Sequence, residues 1–215
     1  MLGLIYPRKC VLCRKILSRE ETDLCHTCRA EAPEYVQRKR NIPFVANWTA
    51  MWYYSGMVRA SIHRFKFGNA RSYAQVYGRG IAMRVLSDFP DTVDAVTWVP
   101  VSLRRKLSRG YDQSQLVAKA VASELALPCL GFLRKIRNTP PQSGLASAAQ
   151  RRANVLGAYK VLQTPCLRDK RILLIDDVIT TGATASECAR MLLSAGASEV
   201  FLAAMAAASP KNNNM

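Results

Sequence analysis

The sequence contains no hydrophobic run long enough to cross a membrane. Its longest late apolar run covers residues 200–208, whereas a membrane helix needs ~20 apolar residues. The apolar residues 1–6 are followed at once by Pro7, Arg8 and Lys9, so the start of the chain lacks the layout of a secretory signal peptide. These absences exclude a membrane span and lead us to expect a soluble, cytoplasmic protein.

Acidic side chains are scarce. The chain has 15 Asp and Glu against 31 Lys and Arg, which gives a formal net charge of +16. This excess favours an anionic partner, which could be a phosphorylated small molecule, a nucleic acid or an acidic membrane surface. The alternative is a basic surface that serves only solubility, and charge alone does not choose between them.

Four of the seven cysteines form two close pairs near the N-terminus. The pairs Cys10-x₂-Cys13 and Cys25-x₂-Cys28 are separated by eleven residues. Four thiolates in this spacing predict a closed, tetrahedral structural Zn²⁺ site. An iron–sulfur cluster and a redox CxxC pair are the alternatives. The remaining cysteines are expected to pack as small apolar residues: Cys129, Cys166 and Cys188.

The order of predicted elements indicates an α/β fold. Strands are predicted at 48–54, 94–101, 130–133, 158–162, 171–175 and 199–207, and helices at 57–67, 72–86, 113–127, 147–155 and 184–194, with basic loops at 104–109 and 134–144. This alternation predicts a mostly parallel sheet with helices on both faces. We expect a zinc module and linker over residues 1–46, an α/β domain over 47–210 and a disordered tail over 211–215.

The segment 172–184, ILLIDDVITTGAT, has the pattern of a ligand site. A hydrophobic strand delivers Asp176 and Asp177 to the carboxyl end of the sheet, where ligands bind in open parallel sheets. A loop of Thr and Gly follows and opens into a helix, whose N-terminal amides suit a phosphate. Carboxylates accept hydrogen bonds from sugar hydroxyls, so a sugar phosphate fits both parts. The alternative is a strand followed by an ordinary capped helix.

This segment resembles the phosphoribosyl pyrophosphate (PRPP) motif of type I phosphoribosyltransferases. The resemblance implies that the two acids are the catalytic-site residues and hold the ribose hydroxyls, while the Thr/Gly loop holds the 5-phosphate. The PRPP-binding residues that it implies are Asp176, Asp177, Val178, Thr180, Thr181, Gly182, Ala183 and Thr184.

A phosphoribosyl site also needs a pocket for pyrophosphate. The end of the strand at 94–101 offers Ser102, Arg104 and Arg105, which could neutralise a leaving group together with Mg²⁺. A solvated basic loop is the alternative. Asp112 is predicted to cap the next helix. Residues 139–159 could form a lid over the site or a surface loop.

Three stretches together resemble the ComF family of phosphoribosyltransferase-like proteins: 99–114 (VPVSLRRKLSRGYDQS), 139–159 (TPPQSGLASAAQRRANVLGAY) and the PRPP motif. The N-terminal cysteines and the segment 63–68 (HRFKFG) extend the resemblance over nearly the whole chain. It implies a role in DNA uptake during natural transformation. Single-stranded DNA and other competence proteins, such as a DNA helicase, are the partners that follow from it.

Two hypotheses about function follow. The first is an enzyme that transfers phosphoribosyl from Mg-PRPP to an unknown nitrogen nucleophile. The second is a binding protein that holds a nucleotide or single-stranded DNA without turnover, with aromatics at 35, 48 and 52–54 stacking on bases. The alternative for those aromatics is a core role. The candidate nucleic-acid contacts are Arg38, Lys39, Arg40, Arg134, Lys135, Arg137, Arg151 and Arg152.

Overall fold

The computed structural model describes residues 7–37, 40–89, 93–139, 147–162 and 165–209. Within these ranges the elements, in chain order, are α1 (His26–Glu31), β1 (Asn47–Tyr53), α2 (Gly56–Phe67), α3 (Tyr73–Asp88), β2 (Ala95–Trp98), α4 (Leu103–Arg109), α5 (Gln113–Glu124), β3 (Leu133–Lys135), α6 (Ala148–Val155), β4 (Tyr159–Val161), a 3₁₀ helix (Pro165–Leu167), β5 (Arg171–Ile179), α7 (Ala183–Ser194) and β6 (Glu199–Ala207). Arg38, Lys39, residues 140–146 of the predicted lid and the predicted tail lie outside the described residues.

The main sheet is parallel, with strand order β1-β6-β5-β2. The side chains of its central strand β5 alternate between two apolar layers: Leu173 and Ile175 face one, Ile172 and Leu174 the other. Such a strand, buried on both faces, is typical of a parallel sheet covered by helices. The predicted α/β fold is thereby confirmed.

Helices cover both faces of the sheet. The layer on the Leu173 face contains buried residues of α2, α3 and α5, such as Phe65, Tyr77 and Val117. The opposite layer contains residues of α7, such as Leu192, together with the β3–β4 pair. The carboxyl ends of the strands therefore open between two apolar layers.

Two local predictions are wrong. Residues 104–109, predicted as a basic loop, lie in helix α4, which ends at Gly110 in the left-handed conformation (φ 74°). This helix buries none of its residues, so it has no apolar face from which periodicity could predict it. The strand predicted at 130–133 is shifted to β3, which pairs antiparallel with β4 outside the main sheet.

The N-terminal cysteine module shares the core of the α/β domain. Val11 and Leu12, each 1% exposed, belong to the same apolar cluster as Ile62 and Phe65 of α2. The module is too short to build a core alone, and it buries its apolar side chains against the helix instead.

The close approach of α3 to α5 depends on Gly78. A Cβ at this position would lie 2.3 Å from the Cβ of Ala120. We expect Gly78→Ala to lower the free energy of unfolding, because overpacking costs about 1–3 kcal/mol and exceeds the ~1 kcal/mol that Ala gains over Gly in a helix. Urea denaturation checks this. The double variant Gly78→Ala/Ala120→Gly should recover most of the loss; a stable single variant would contradict the close packing.

Along the described ranges, no helix combines the length and the apolar character that a membrane crossing requires.

Candidate functional site

A cleft of about 520 Å³ lies where β2 and β5 end and α7 begins. Its walls come from segments far apart in sequence, including α2, α4 and the β3–β4 pair. The lining residues are Tyr54, His63, Lys66, Phe67, Val99, Pro100, Val101, Arg105, Arg109, Ser114, Lys135, Thr139, Tyr159 and residues 176–180 and 182–185.

The two acids of the predicted motif lie side by side in the cleft. Both belong to β5, which continues to Ile179 instead of ending before them. The backbone N–H of Asp177 donates to Asp176 Oδ1 (2.8 Å). Lys66 Nζ of α2 lies 2.6 Å from Asp177 Oδ2, and both side chains are mostly buried. The acid pair thus has a cationic partner from outside the motif.

The carboxyl group of Asp176 has a raised pKa. Burial, together with the neighbouring charge of Asp177, raises the pKa of Asp176 to about 7, and Lys66 opposes this shift. A strongly raised carboxyl pKa in a cleft is typical of a functional site.

The loop between β5 and α7 makes a tight turn into the start of the helix. Gly182 adopts a left-handed conformation (φ 78°) as the N-cap of α7. A Cβ there would also lie 3.0 Å from side-chain atoms of Ile42, so glycine is required on two grounds. The N–H of Ala183 donates to Thr181 Oγ1 (3.4 Å), and the guanidinium of Arg40 donates to Thr180 O (2.6 Å). The N-terminus of α7 therefore faces the cleft with a positive dipole end.

A second group of cations faces the same cleft. Arg105, predicted for pyrophosphate, lines it and donates to Thr139 O (3.1 Å). Ser102 is buried and Arg104 is exposed, and neither is among the lining residues. Arg109, which the sequence reasoning did not select, lines the cleft and donates to the Gln113 side chain (2.8 Å).

Lys135 was predicted as a nucleic-acid contact, but it lies in the cleft. Its ammonium group lies 5.2 Å from the ring centroid of Tyr159. Burial lowers the pKa of Lys135 and also that of Arg109. Both cations are therefore partly desolvated, which strengthens their attraction for an anion in the cleft.

Asp112 has the capping role predicted for it. Its Oδ1 accepts from Gln115 N (3.2 Å) at the start of α5. Its Oδ2 accepts from Val101 N (3.1 Å), so the same carboxylate ties down the backbone that follows β2. Because Val101 lines the cleft, this bond helps to fix the wall that carries Arg105.

The aromatics predicted to stack on bases are mainly core residues. Tyr35, Trp48 and Trp52 are at most 4% exposed. Trp48 packs against Tyr35 with 5.1 Å between ring centroids, and its Nε1 donates to Arg40 O. The prediction of an aromatic stacking platform is wrong at these three positions, because aromatic side chains on a covered strand fill its core.

The candidate nucleic-acid cations do not share one kind of environment. Arg134 and Arg152 are exposed, whereas Arg40 contacts the loop after β5. The guanidinium of Arg137 donates to Asn154 O (3.2 Å) and to Leu156 O (2.8 Å) and so braces the end of α6. Arg151 lies on α6 and is partly buried.

The four paired cysteines form a metal-binding cluster. The Sγ atoms of Cys10, Cys13, Cys25 and Cys28 all lie within 4.8 Å of one another. Sulfurs bound at ~2.3 Å to a tetrahedral zinc lie ~3.8 Å apart, and the Cys13–Cys25 separation is 3.6 Å. The residues present therefore fit a structural zinc. Of the other cysteines, Cys188 is buried as predicted, but Cys166 is exposed.

Three lining residues of α2 were not selected from the sequence as site residues: His63, Lys66 and Phe67. They lie in the HRFKFG segment, which contributed only to the family resemblance. A signal was present, since Lys66 follows the buried Phe65 directly on an amphipathic helix. Its approach to Asp177 depends on how α2 packs, which local sequence does not reveal.

Comparison with known proteins defines the class. Residues 112–213 match a phosphoribosyl transferase domain, and residues 1–40 match a double zinc ribbon domain. The chain thus contains a phosphoribosyl transferase domain and an N-terminal zinc ribbon domain. It is a homologue of proteins named competence protein F, YhgH and ComFC, which confirms the resemblance to the ComF family.

The relatives align over most of the chain. Competence protein F of Haemophilus influenzae is 27% identical over 89% of this chain and 93% of its own length. Competence protein ComFC of Bacillus subtilis is 24% identical over 87% and 78%. DNA utilization protein YhgH of Escherichia coli O157:H7 is 32% identical over 65% and 62%. Among solved structures, glutamine PRPP amidotransferase of B. subtilis aligns with TM-score 0.46 and 22% identity, over 67% of this chain and 30% of that longer chain.

Proposed function

We propose that the cleft binds PRPP with Mg²⁺. The observation that carries the proposal is the meeting of three features in one cleft: the acid pair of β5, the N-terminus of α7, and the cations Arg105, Arg109 and Lys135. A ligand that matches all three has vicinal hydroxyls, one terminal phosphate and a separate polyphosphate. PRPP has these groups on a single ribose ring.

Each group of residues has a role in this proposal. Asp176 and Asp177 accept hydrogen bonds from the ribose hydroxyls, and residues 180–184 donate to the 5-phosphate. The guanidinium of Arg105 and the neighbouring cations neutralise the diphosphate. Magnesium would enter with the ligand's diphosphate and supply further charge neutralisation.

The same arrangement can support phosphoribosyl transfer. In that reaction the bond from C1 to pyrophosphate breaks, pyrophosphate leaves with the electron pair, and a nitrogen nucleophile forms the new C1–N bond. The cleft would act by positioning and by stabilising the departing pyrophosphate with Arg105 and Arg109. We further propose that this ligand binding serves DNA uptake and utilisation, as the names of the homologues suggest.

Single-stranded DNA binding is the second candidate function. The observations that favour it are the exposed Arg134 and Arg152 and the net charge of +16. The buried positions of Trp48 and Trp52 weigh against an aromatic platform of the kind that holds single strands.

Calorimetric titration tests both functions. We expect saturable binding of PRPP with Mg²⁺. Arg105→Ala should weaken PRPP about tenfold or more, through loss of a charge-assisted contact, and should leave ribose 5-phosphate, which lacks the diphosphate, nearly unaffected. No binding of PRPP to the wild type would overturn the proposal.

The same titration with a short single-stranded oligonucleotide, at two salt concentrations, tests the second function. Binding that weakens steeply with salt would support it. Absence of oligonucleotide binding, with PRPP still bound, would leave an enzyme, and nitrogenous acceptors could then be screened for pyrophosphate release.

A further inference from the structure

Helix α2 connects the zinc module with the cleft. The residues between the first pair of zinc-binding cysteines are Val11 and Leu12. The Ser61 hydroxyl of α2 donates to Val11 O (2.6 Å), and the guanidinium of Arg64 donates to Val11 O (3.1 Å) and to Leu12 O. The backbone between these two cysteines, which bound zinc would order, is therefore hydrogen-bonded directly to α2.

Apolar packing reinforces this connection. Cys10, at 0% exposure, lies in the same buried cluster as Val58 and Ile62 of α2, which are also at 0%. The Ser61 hydroxyl forms a second hydrogen bond, with the Tyr77 hydroxyl (2.8 Å), inside the same apolar layer. The module side of α2 is thus held by both hydrogen bonds and close packing, and a shift of the cysteine turn must move the helix.

The same turn of α2 also contacts the proposed ligand site, through Lys66. Lys66 lies two residues after Arg64, and its Nζ is 2.6 Å from Asp177 Oδ2 with the lysine side chain 18% exposed. A buried ion pair of this kind is sensitive to geometry, because its attraction must offset the desolvation of both charges. A small displacement of α2 would therefore separate Lys66 from the acid pair.

We propose that the zinc module is an integral part of the ligand site: the metal fixes the Val11–Leu12 turn, the turn fixes α2, and α2 places Lys66 as the positioning residue for Asp177. Ligand affinity then depends on the metal although no cysteine lines the cleft among the described residues. The inference rests on the proposed binding of PRPP at this site. It extends that proposal by assigning an indirect role in binding to a module outside the phosphoribosyl transferase match.

The test combines metal removal with substitution of Lys66. PRPP with Mg²⁺ is titrated into wild type, Lys66→Met and Lys66→Arg, each with bound zinc and after chelation with subsequent chelator removal. We expect Lys66→Met to weaken binding about tenfold or more, and Lys66→Arg to retain most of the affinity. Zinc removal should weaken the wild type to a similar degree and have little further effect in Lys66→Met, because both changes interrupt the same connection.

A matched control comes from another contact of the module. Asp23 pairs with Arg79 of α3 (2.5 Å) and does not contact α2 through this pair. Asp23→Asn should leave PRPP affinity unchanged. Full affinity after zinc removal, or effects of chelation and Lys66→Met that simply add, would overturn the inference.

Hydrogen exchange separates this inference from the proposed function. In ligand-free protein, zinc removal should increase exchange at residues 61–66 of α2 more than in α7, which lies on the opposite face of the sheet. Unchanged protection of α2 would overturn the inference even if PRPP binds.

If chelation unfolds the whole chain, the zinc-bound variant Ser61→Ala takes the place of the metal-free protein. This variant should increase hydrogen exchange in α2 and weaken PRPP binding. Wild-type values for both would contradict the proposed coupling of the zinc module to α2. If the wild type does not bind PRPP, that result would instead contradict the proposed function.

Discussion

Asp176→Asn is expected to abolish measurable PRPP binding and to raise the stability of the ligand-free protein at neutral pH. The carboxylate is proposed to accept hydrogen bonds from ribose hydroxyls, and an amide cannot replace its charge. The same carboxylate is costly without ligand, because burial and the adjacent Asp177 raise its pKa to about 7. A change that removes function while it increases stability is typical of a binding site and not of a structural position.

The pH dependence of this stabilisation has a definite sign. Because the folded-state pKa of Asp176 is raised above the unfolded value, the folded protein binds the proton more tightly, and stability falls as pH rises from about 4 to about 7. Asp176→Asn removes that loss. Its advantage over wild type should therefore be small near pH 4, grow up to about pH 7 and stay constant above, at no more than about 4 kcal/mol for a pKa raised from 3.8 to about 7.

Thermal unfolding at pH 4, 6 and 8 measures this advantage, and calorimetry measures the affinity. Asp177→Asn is the matched control. It should lose affinity similarly and relieve part of the Asp176 pKa shift, but it leaves Lys66 without its partner, so it should gain less stability than Asp176→Asn. An Asp176→Asn protein that binds PRPP normally, or that is less stable than wild type at pH 8, would contradict the assignment.

Sequence reasoning predicted the part of the site that is contiguous in the chain. The strand β5, its two acids and the loop at Gly182 lie within thirteen residues, and each follows from local rules: an apolar strand, a left-handed glycine and a helix start. Such features need no knowledge of which elements meet in space.

The opposite wall of the cleft could not be predicted in the same way. Lys66, Arg109 and Lys135 come from three separate elements, and only the tertiary arrangement brings them to the acid pair. Helix α4 was missed because it buries no side chain, so the hydrophobic periodicity that reveals other helices is absent. The sequence signals for α4 are local ones, and they include the left-handed Gly110 at which the helix ends.

Three ionisable groups of the cleft, Asp176, Arg109 and Lys135, share one electrostatic property. The pKa of Asp176 is raised, and the pKa values of Arg109 and Lys135 are lowered, each chiefly by burial. All three shifts favour the uncharged form in the empty cleft. A ligand that carries both hydroxyl donors and phosphates would oppose all three shifts, which matches the clustering of perturbed pKa values at functional sites.

Loss of the zinc-binding cysteines should have the largest effect on stability. We expect Cys10→Ser and Cys25→Ser to release about one zinc per chain and to lower the free energy of unfolding by several kcal/mol, on the order of 3–5. Both side chains are at most 2% exposed and lie in the apolar cluster that includes Phe65 of α2. The damage should therefore extend from the module into the α/β domain instead of leaving that domain intact.

Metal analysis of the purified variants, together with urea denaturation, checks this. The exposed Cys166 lies outside the metal cluster, so Cys166→Ser should keep both the zinc content and the stability of wild type. If the metal-free wild type unfolded at the same urea concentration as the zinc-bound protein, the metal would add nothing to the shared core. The opposite result, a single unfolding transition that moves to lower urea when zinc is lost, would mean that the module and the α/β domain fold as one cooperative unit, as their common apolar cluster requires.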